Sequence, residues 1–297
     1  MGLMDGKVAI VTGAGRGIGR GEALLLAQEG ARVVVNELDA DAGQAVVDEI
    51  VSNGGEAALN TGDCSEVDGA EALVNQAVET FGGLDALVNN AGILRDRTLV
   101  KMTPEEWDAV IKVHLRGHYA PTHFACAWWK ENARPGHVVC TASTSGLLGN
   151  FGQINYGTAK AGIAAFAAIA AQEMWRYNVT VNAIAPAART RMTEGAYGTI
   201  ETSDDFDFWH PDNVAPMVVY LCSDASSHIS GKTFGVQGNA VELYQPWTSF
   251  SEIVSDGGRW EPGDLAKRVD ELFEGFPIAK EATNGMARLR YSMTQRS

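Results

Sequence analysis

At 297 residues, with 45% hydrophobic and 20% charged positions, the chain can bury one large core or two small ones and reads as an ordinary globular protein. Its net charge of -14 argues against general nucleic-acid binding and against an anionic membrane surface, though one local basic pocket would still admit an acidic ligand. Cys64, Cys126, Cys140 and Cys222 form no C-x-x-C pair and no metal-ligand spacing, so buried thiols in a reducing compartment are expected. No signal-peptide pattern precedes Lys7, and the longest near-continuous apolar segment, 162–171, is too short to span a bilayer. The expected location is the cytoplasm.

Residues 7–12 (KVAIVT) are a short β-branched run that predicts a buried strand. It leads into GAGRGIG, residues 13–19, and then an apolar helical pattern through Leu24, Leu25, Leu26 and Ala27 that Gly30 ends. Strand, glycine-rich turn and helix in that order predict a dinucleotide phosphate site. The glycines let the backbone approach a pyrophosphate, and the helix N-terminus supplies amide donors and the positive end of a dipole. Gly13, Arg16, Gly17, Ile18 and Gly19 are its candidate residues. A second strand, 32–36, is followed by Glu37, 24 residues after Gly13, where an acid accepts both hydroxyls of an adenosine ribose and repels a 2′-phosphate. This favours NAD over NADP. A solvated loop glutamate is the competing reading, and Arg16 and Arg20 keep NADP as the minority one.

A helix over 39–52 and a strand over 57–61 come next, with Asp63 and Cys64 placed to touch an adenine. A helix over 68–81 and a strand over 84–88 lead to Asn89-Asn90-Ala91-Gly92. Thr103-Pro104-Glu105-Glu106 reads as a capped helix start, and Gly117 and Pro121 are expected to bend or break the long helix that follows. This alternation predicts an α/β fold: a doubly wound parallel sheet, Rossmann-like, of about seven strands.

The apolar run HVVCTA, 137–142, predicts a strand that ends at Ser143. Tyr156 lies thirteen residues on, and Lys160 four beyond it, one helical turn away on the same face. An ammonium there favours phenolate over phenol, so the group can take a proton from a carbinol oxygen or return one. Y-x-x-x-K alone is common, and a chance pairing is the alternative. A strand over 180–185 ends in Pro186 and Ala187; residues 187–211 read as a long loop of the kind that forms lids. A helix over 212–222 and a last strand over 233–237 follow. Residues 241–297 leave the pattern, carrying Trp247, Phe250, Trp260, Phe273 and Phe276 among many acids, with one helix over 262–273. The expected organisation is a domain over 1–240 and a C-terminal extension over 241–297, packed on its own domain or on a partner subunit.

Thr12-Gly13-x-x-x-Gly17-x-Gly19, Asn89-Asn90-Ala91-Gly92, Ser143 and Tyr156-x-x-x-Lys160 together resemble the short-chain dehydrogenase/reductase family, in order and spacing, over residues 6 to about 240. The resemblance implies that Tyr156 is the general acid/base, that Ser143 holds the substrate oxygen, and that Lys160 binds the nicotinamide ribose. VVVNEL, NNAGILRDRT, VHLRGH, GNFGQINY and IAPAARTRMT are similar to one branch, the (3R)-hydroxyacyl-CoA dehydrogenase unit of the type-2 peroxisomal multifunctional enzyme and its free-standing bacterial relatives. That likeness implies NAD-dependent oxidation of a 3-hydroxyacyl-CoA, fatty or steroid-linked, in β-oxidation.

Two departures from the family pattern stand out. His114 occupies the place of the Asn that completes the family's proton relay, so it is a variant relay member or a structural histidine. Pro186-Ala187 replaces Pro-Gly, with Thr190 a possible helper at the carboxamide. The resemblance also implies that Asn90, Ala91 and Gly92 flank the nicotinamide. Ser145 competes with Ser143, and the spacing to Tyr156 favours Ser143.

Arg95, Arg97, Lys101, Arg189 and Arg191 either meet CoA phosphates or form a solvated rim, and Phe206, Phe208 and Trp209 suggest a bulky apolar ligand. The alanine-rich helix 157–174 suggests a homodimer or homotetramer. The rival functions are an NADPH-dependent 3-oxoacyl reductase, a dehydrogenase of free steroids, and an inactive dinucleotide-binding scaffold.

Overall fold

An unbroken VAIVT run suits a strand covered on both faces, and β1 (Val8–Thr12) is buried along its whole length. In the computed structural model, which describes residues 2–190 and 206–275, β1 lies inside an eight-stranded sheet. The other strands are β2 (Arg32–Asn36), β3 (Glu56–Asn60), β4 (Ala86–Asn89), β5 (Gly136–Thr141), β6 (Val179–Ala187), β7 (Thr233–Gln237) and β8 (Ala240–Leu243). Their order is β3-β2-β1-β4-β5-β6-β7-β8, parallel up to β7. The order reverses between β1 and β4, which opens a crevice at the carboxyl ends of those two strands.

Helices cover both faces. α1 (Gly17–Gln28), α2 (Ala40–Ser52) and α8 (Ala215–Cys222) pack on one through Leu26, Val46, Ile50 and Val218 against Ala9, Val11, Val33 and Val139. α3 (Val67–Phe81), α5 (Gly117–Glu131) and α7 (Ile154–Met174) pack on the other through Leu73, Trp129 and Ile163 against Ile10, Leu87, Val138 and Cys140. Neighbouring strand residues thus go to opposite cores, as the pleat requires. Asp39 caps α2 by accepting the Ala42 amide, and Thr103 with Glu106 closes the expected capping box on α4 (Pro104–Ile111).

Two expectations need correction. The bend assigned to Gly117 and Pro121 falls earlier, in a π-helical turn over Lys112–Arg116, and Pro121 is tolerated inside α5. At its end the Gly117 amide bonds to the Lys112 and His114 carbonyls, and His118 Nδ1 lies 2.7 Å from the same His114 carbonyl. The sheet also has eight strands rather than about seven. β8 folds back through Gly238 and Asn239 to pair antiparallel with β7, so the sheet continues past residue 240. Four residues with Val241 and Leu243 exposed carry no clear period, which is why this edge is unreadable in the sequence.

Beyond β8 the chain is irregular until α9 (Pro262–Arg268), which continues as a 3-10 turn over Val269–Phe273. Arg268 stacks over Trp260 at 5.2 Å and pairs with Glu271 at 2.9 Å, so this segment closes on itself while Trp247 and Phe250 stay exposed. No helix among the described residues is long and apolar enough to cross a membrane.

Candidate active site

β1 delivers Thr12 to the crevice, where its Oγ1 accepts the amides of Asn90 and Ala91 at 3.0 and 3.1 Å. Asn90 Nδ2 in return donates to the carbonyls of Thr12 and Gly13 at 3.0 and 3.1 Å. These four bonds latch the glycine loop to the turn after β4. A Cβ on Gly19 would lie 2.3 Å from Asn90 Nδ2 and 2.4 Å from the Gly13 oxygen, so no side chain fits there. α1 begins at Gly17 with no side-chain cap and no acid in its first turn. Its first amides and the positive end of its dipole therefore meet the loop, a cradle that fits the pyrophosphate of a dinucleotide.

Glu37 leaves the end of β2 at the lip of this cradle, its Oε2 accepting the Gly15 amide and its Oε1 the Asp39 amide, both at 3.1 Å. Arg16 pairs with Asp39, which holds its guanidinium above its ordinary range, and Arg20 pairs with Glu49 at 2.6 Å. Ile18 packs on the core beneath, and Thr190 sits beside Gly17. Pro186 and Ala187 end β6, opposite Val236 and Gln237. Asp63 Oδ1 is occupied by the amide and hydroxyl of Ser65. The Cys64 side chain turns into the core, where burial pushes its thiol up to about 12, so only its backbone is left for a ligand.

Tyr156 and Lys160 project from α7 toward the end of β5. Lys160 is buried, its Nζ 5.6 Å from the centre of the Tyr156 ring and donating to the Thr141 carbonyl. Burial pulls its ammonium down to about 7, with Cys140 and Glu22 drawing it back up. Ser143 follows β5 and caps α6 (Thr144–Leu148), its Oγ accepting the Ser145 amide at 3.2 Å. Ser145 Oγ donates to Gln153 Oε1 at 2.8 Å, whereas no partner among the described residues takes the Ser143 hydroxyl proton. The serine with a proton to give is therefore Ser143.

His114 stands edge-on to Tyr156, ring centres 5.2 Å apart, with its Nε2 2.7 Å from the Ile93 carbonyl and 3.0 Å from the Ile93 amide. A Cβ on Gly92 would lie 2.4 Å from its Cε1, so this turn and this ring require each other. Burial and the nearby Lys160 charge press its imidazolium down to about 3, and it is neutral at any working pH.

A family model described as short chain dehydrogenase matches residues 7–199. The chain belongs to the short-chain dehydrogenases. Membership makes it an oxidoreductase acting on a CH–OH group and implies NAD(P) binding. Among relatives of this dehydrogenase, it is 43% identical to hydroxyacyl-CoA dehydrogenase ChsB1 of Mycobacterium tuberculosis, over 92% of the chain and 90% of that protein. It is 43% identical to peroxisomal multifunctional enzyme type 2 of Drosophila melanogaster, over 81% of the chain but 40% of that longer enzyme. A solved short chain dehydrogenase from Mycobacterium avium is 45% identical and superposes with a TM-score of 0.85, covering 94% of this chain and 98% of the other.

Arg189 is held by Asp207 at 2.6 Å and its amide donates to the Trp209 carbonyl, so both pin the two ends of the 187–211 segment together. Trp209 is buried and stacked edge-on by Phe208, while Phe206 is half exposed. Arg95, Arg97 and Lys101 are exposed, with Arg97 3.3 Å from Glu106. Arg191 lies outside the described residues.

Several positioning groups of this dehydrogenase are not visible in the sequence. Thr12 appears there only as part of a motif. Asn155 accepts the Tyr156 amide at 2.7 Å and donates to the Arg95 and Glu106 carbonyls. His118 accepts the Thr141 amide on Nε2 at 3.2 Å. Only the adjacency of Asn155 to Tyr156 was a usable signal.

Proposed function

We propose that this dehydrogenase oxidises the 3-hydroxyl of a (3R)-hydroxyacyl-CoA, fatty or steroid-linked, to the ketone with NAD. What supports the proposal is that Lys160 lies 5.6 Å from the Tyr156 ring and donates to the last residue of β5, with Ser143 two residues beyond, in a chain that aligns over 92% of its length with a hydroxyacyl-CoA dehydrogenase. Glu37 at the loop lip supports NAD. Arg16 and Arg20, the cations that would favour a 2′-phosphate, each already answer a carboxylate.

When bound, NAD supplies C4 of its nicotinamide as the hydride acceptor. Tyr156, as phenolate, takes the hydroxyl proton of the substrate, and Lys160 beneath it supplies the positive field that favours the phenolate. Ser143 donates its hydroxyl proton in a hydrogen bond to the reacting oxygen and holds it as its charge changes. Asn155 and the neutral His114 fix the backbone and ring of Tyr156, and the Thr12–Asn90 latch holds the loop. His114 Nδ1, which has no hydrogen-bond partner among the described residues, is the atom through which a variant relay would run. Four free, buried cysteines support a reducing, cytoplasmic setting, and the exposed Tyr119 on α5 and Ile169 on α7 support a homo-oligomer built on those helices.

The test is NADH formation from NAD with a (3R)-hydroxyacyl-CoA, its (3S) epimer and a free steroid alcohol. Turnover of the (3R) thioester alone is expected. Turnover of the free alcohol alone removes CoA from the account, and a preference for NADP removes the role given to Glu37.

A further inference from the structure

Gln153, the residue that opens α7, makes side-chain hydrogen bonds that the mechanism above does not use. Its Nε2 donates to Asp96 Oδ2 at 2.8 Å, and its Oε1 accepts Ser145 Oγ at 2.8 Å and Asn150 Nδ2 at 2.9 Å. A carboxylate only accepts, so Asp96 decides which end of the amide faces it and leaves the oxygen for the two donors. The main chains meet at the same place, where Arg97 and Gln153 form a parallel β-bridge. Two residues further on, Asn155 Nδ2 donates to the Arg95 carbonyl at 2.9 Å. Arg95, Asp96 and Arg97 are exposed and lie in no helix or extended strand. Their course is therefore set by the groups they are tied to, and all three are tied to the head of α7.

That tie borders the reacting oxygen. Tyr156 lies three residues beyond Gln153, on the same face of α7. Ser145, whose hydroxyl Gln153 takes, gives its own amide to Ser143 Oγ at 3.2 Å. From the other side, the 95–97 stretch runs on from Gly92 and Ile93, the residues that frame His114. With the cradle of β1 and α1 given to the cofactor, the body of the substrate has to leave past the ground between these two walls. Phe151, 83% exposed in the turn that Asn150 and Gln153 close, offers apolar surface there.

We propose that Gln153 is a positioning residue for substrate binding: through Asp96 it clasps the 95–97 stretch to the head of α7 and fixes the opening beside Tyr156 and Ser143. The clasp acts on the fit of the alcohol and leaves the chemical groups alone, because Tyr156 and Lys160 are carried by α7 itself and by the Asn155 bond to the Tyr156 amide. Gln153→Glu keeps the size of the side chain and the oxygen that serves Ser145 and Asn150, but turns a second carboxylate oxygen on Asp96. Adding Asp96→Asn restores a donor facing an acceptor with the two roles exchanged.

The inference rests on the assignment of Ser143 and Tyr156 made above. Its test is steady-state kinetics with whichever of the three alcohols named above the parent oxidises fastest. Gln153→Glu and Gln153→Ala should each raise the KM for that alcohol by about tenfold, the scale of one hydrogen bond to a charged group. Their kcat should stay within about threefold of the parent, and the KM for NAD should hold. The pair Asp96→Asn with Gln153→Glu should bring the KM for the alcohol back to within about threefold of the parent. A clasp that served only the fold would lower the melting temperature without moving that KM, so an unmoved KM in both single variants overturns the proposal. Failure of the exchanged pair to recover overturns it as well. Tyr156→Phe, assayed in parallel, keeps the two failures apart. Ordinary turnover there sinks the underlying assignment and this inference with it, whereas an inactive Tyr156→Phe beside an unmoved KM sinks this inference alone.

Discussion

Tyr156 owes its place to three side chains: Asn155 takes its amide, His114 meets its ring edge-on, and Lys160 lies beneath it. Its hydroxyl is what the chemistry needs. Tyr156→Phe should therefore lower kcat by about a thousandfold, within the range for a lost general acid or base, while NADH binding measured by fluorescence titration stays near the parent value. Ser143 and Ser145 differ in where their protons go. Ser143→Ala should cost about a hundredfold in kcat, whereas Ser145→Ala, whose hydroxyl serves Gln153, should stay within a few-fold in the same assay. Ser143, Tyr156 and Lys160 were legible because a strand end and one helical turn are local geometry. Asn155 was not, since its partners, Arg95 and Glu106, are remote in sequence.

At the scale of elements, the glycine loop and the turn after β4 act as one part, joined by Thr12 and Asn90. Gly19→Ala brings a methyl to 2.3 Å from Asn90 Nδ2, so the latch must open. NAD affinity by calorimetric titration is expected to fall at least about tenfold, with the fold retained by circular dichroism. The segment after β6 shows the opposite case. Arg189 reads in sequence as either a contact for CoA phosphates or a charge on a solvated rim, and Trp209 as part of an apolar site; in the structure Arg189 answers Asp207 and Trp209 is buried. A charge or an aromatic in an irregular stretch has no period to say which way it faces. The π turn before α5 was hidden for a related reason, since one extra residue in a single turn leaves no mark on the apolar pattern.

For the whole molecule, buried ionisable groups set the response to pH. His114, His118 and His137 all have imidazoliums pushed down by burial, so the unfolded chain binds more protons than the folded one as pH falls below the ordinary histidine value of 6.5. Each then lowers stability by about 1.4 kcal/mol per pH unit over the window where only the unfolded form is protonated. Glu22 works the other way: its carboxyl is raised from 4.5 to about 8, so the folded form binds the extra proton across that window. Melting temperature should fall from pH 6.5 to 4.5, and fall more steeply in Glu22→Met, where that opposition is gone. A second test at this scale concerns association. Ile169 is 56% exposed on α7, and Ile169→Glu should lower the sedimentation coefficient to that of a smaller species if the helix face is covered by another copy.

What the sequence determined by itself was whatever depends on near neighbours. The alternation of strand and helix, the glycine loop after β1, the caps at Asp39 and Thr103 and the spacing from Ser143 to Lys160 are all set by periodicities of two and 3.6 residues and by local turn chemistry. What only the tertiary structure decided was the pairing of groups far apart in the chain. It joined Arg189 to Asp207, gave the Ser145 proton to Gln153, folded β8 onto β7, turned the Cys64 thiol into the core and buried the Glu22 carboxyl without a hydrogen-bond partner among the described residues. Burial and charge are properties of the space between elements, and that space exists only once the sheet has closed around it.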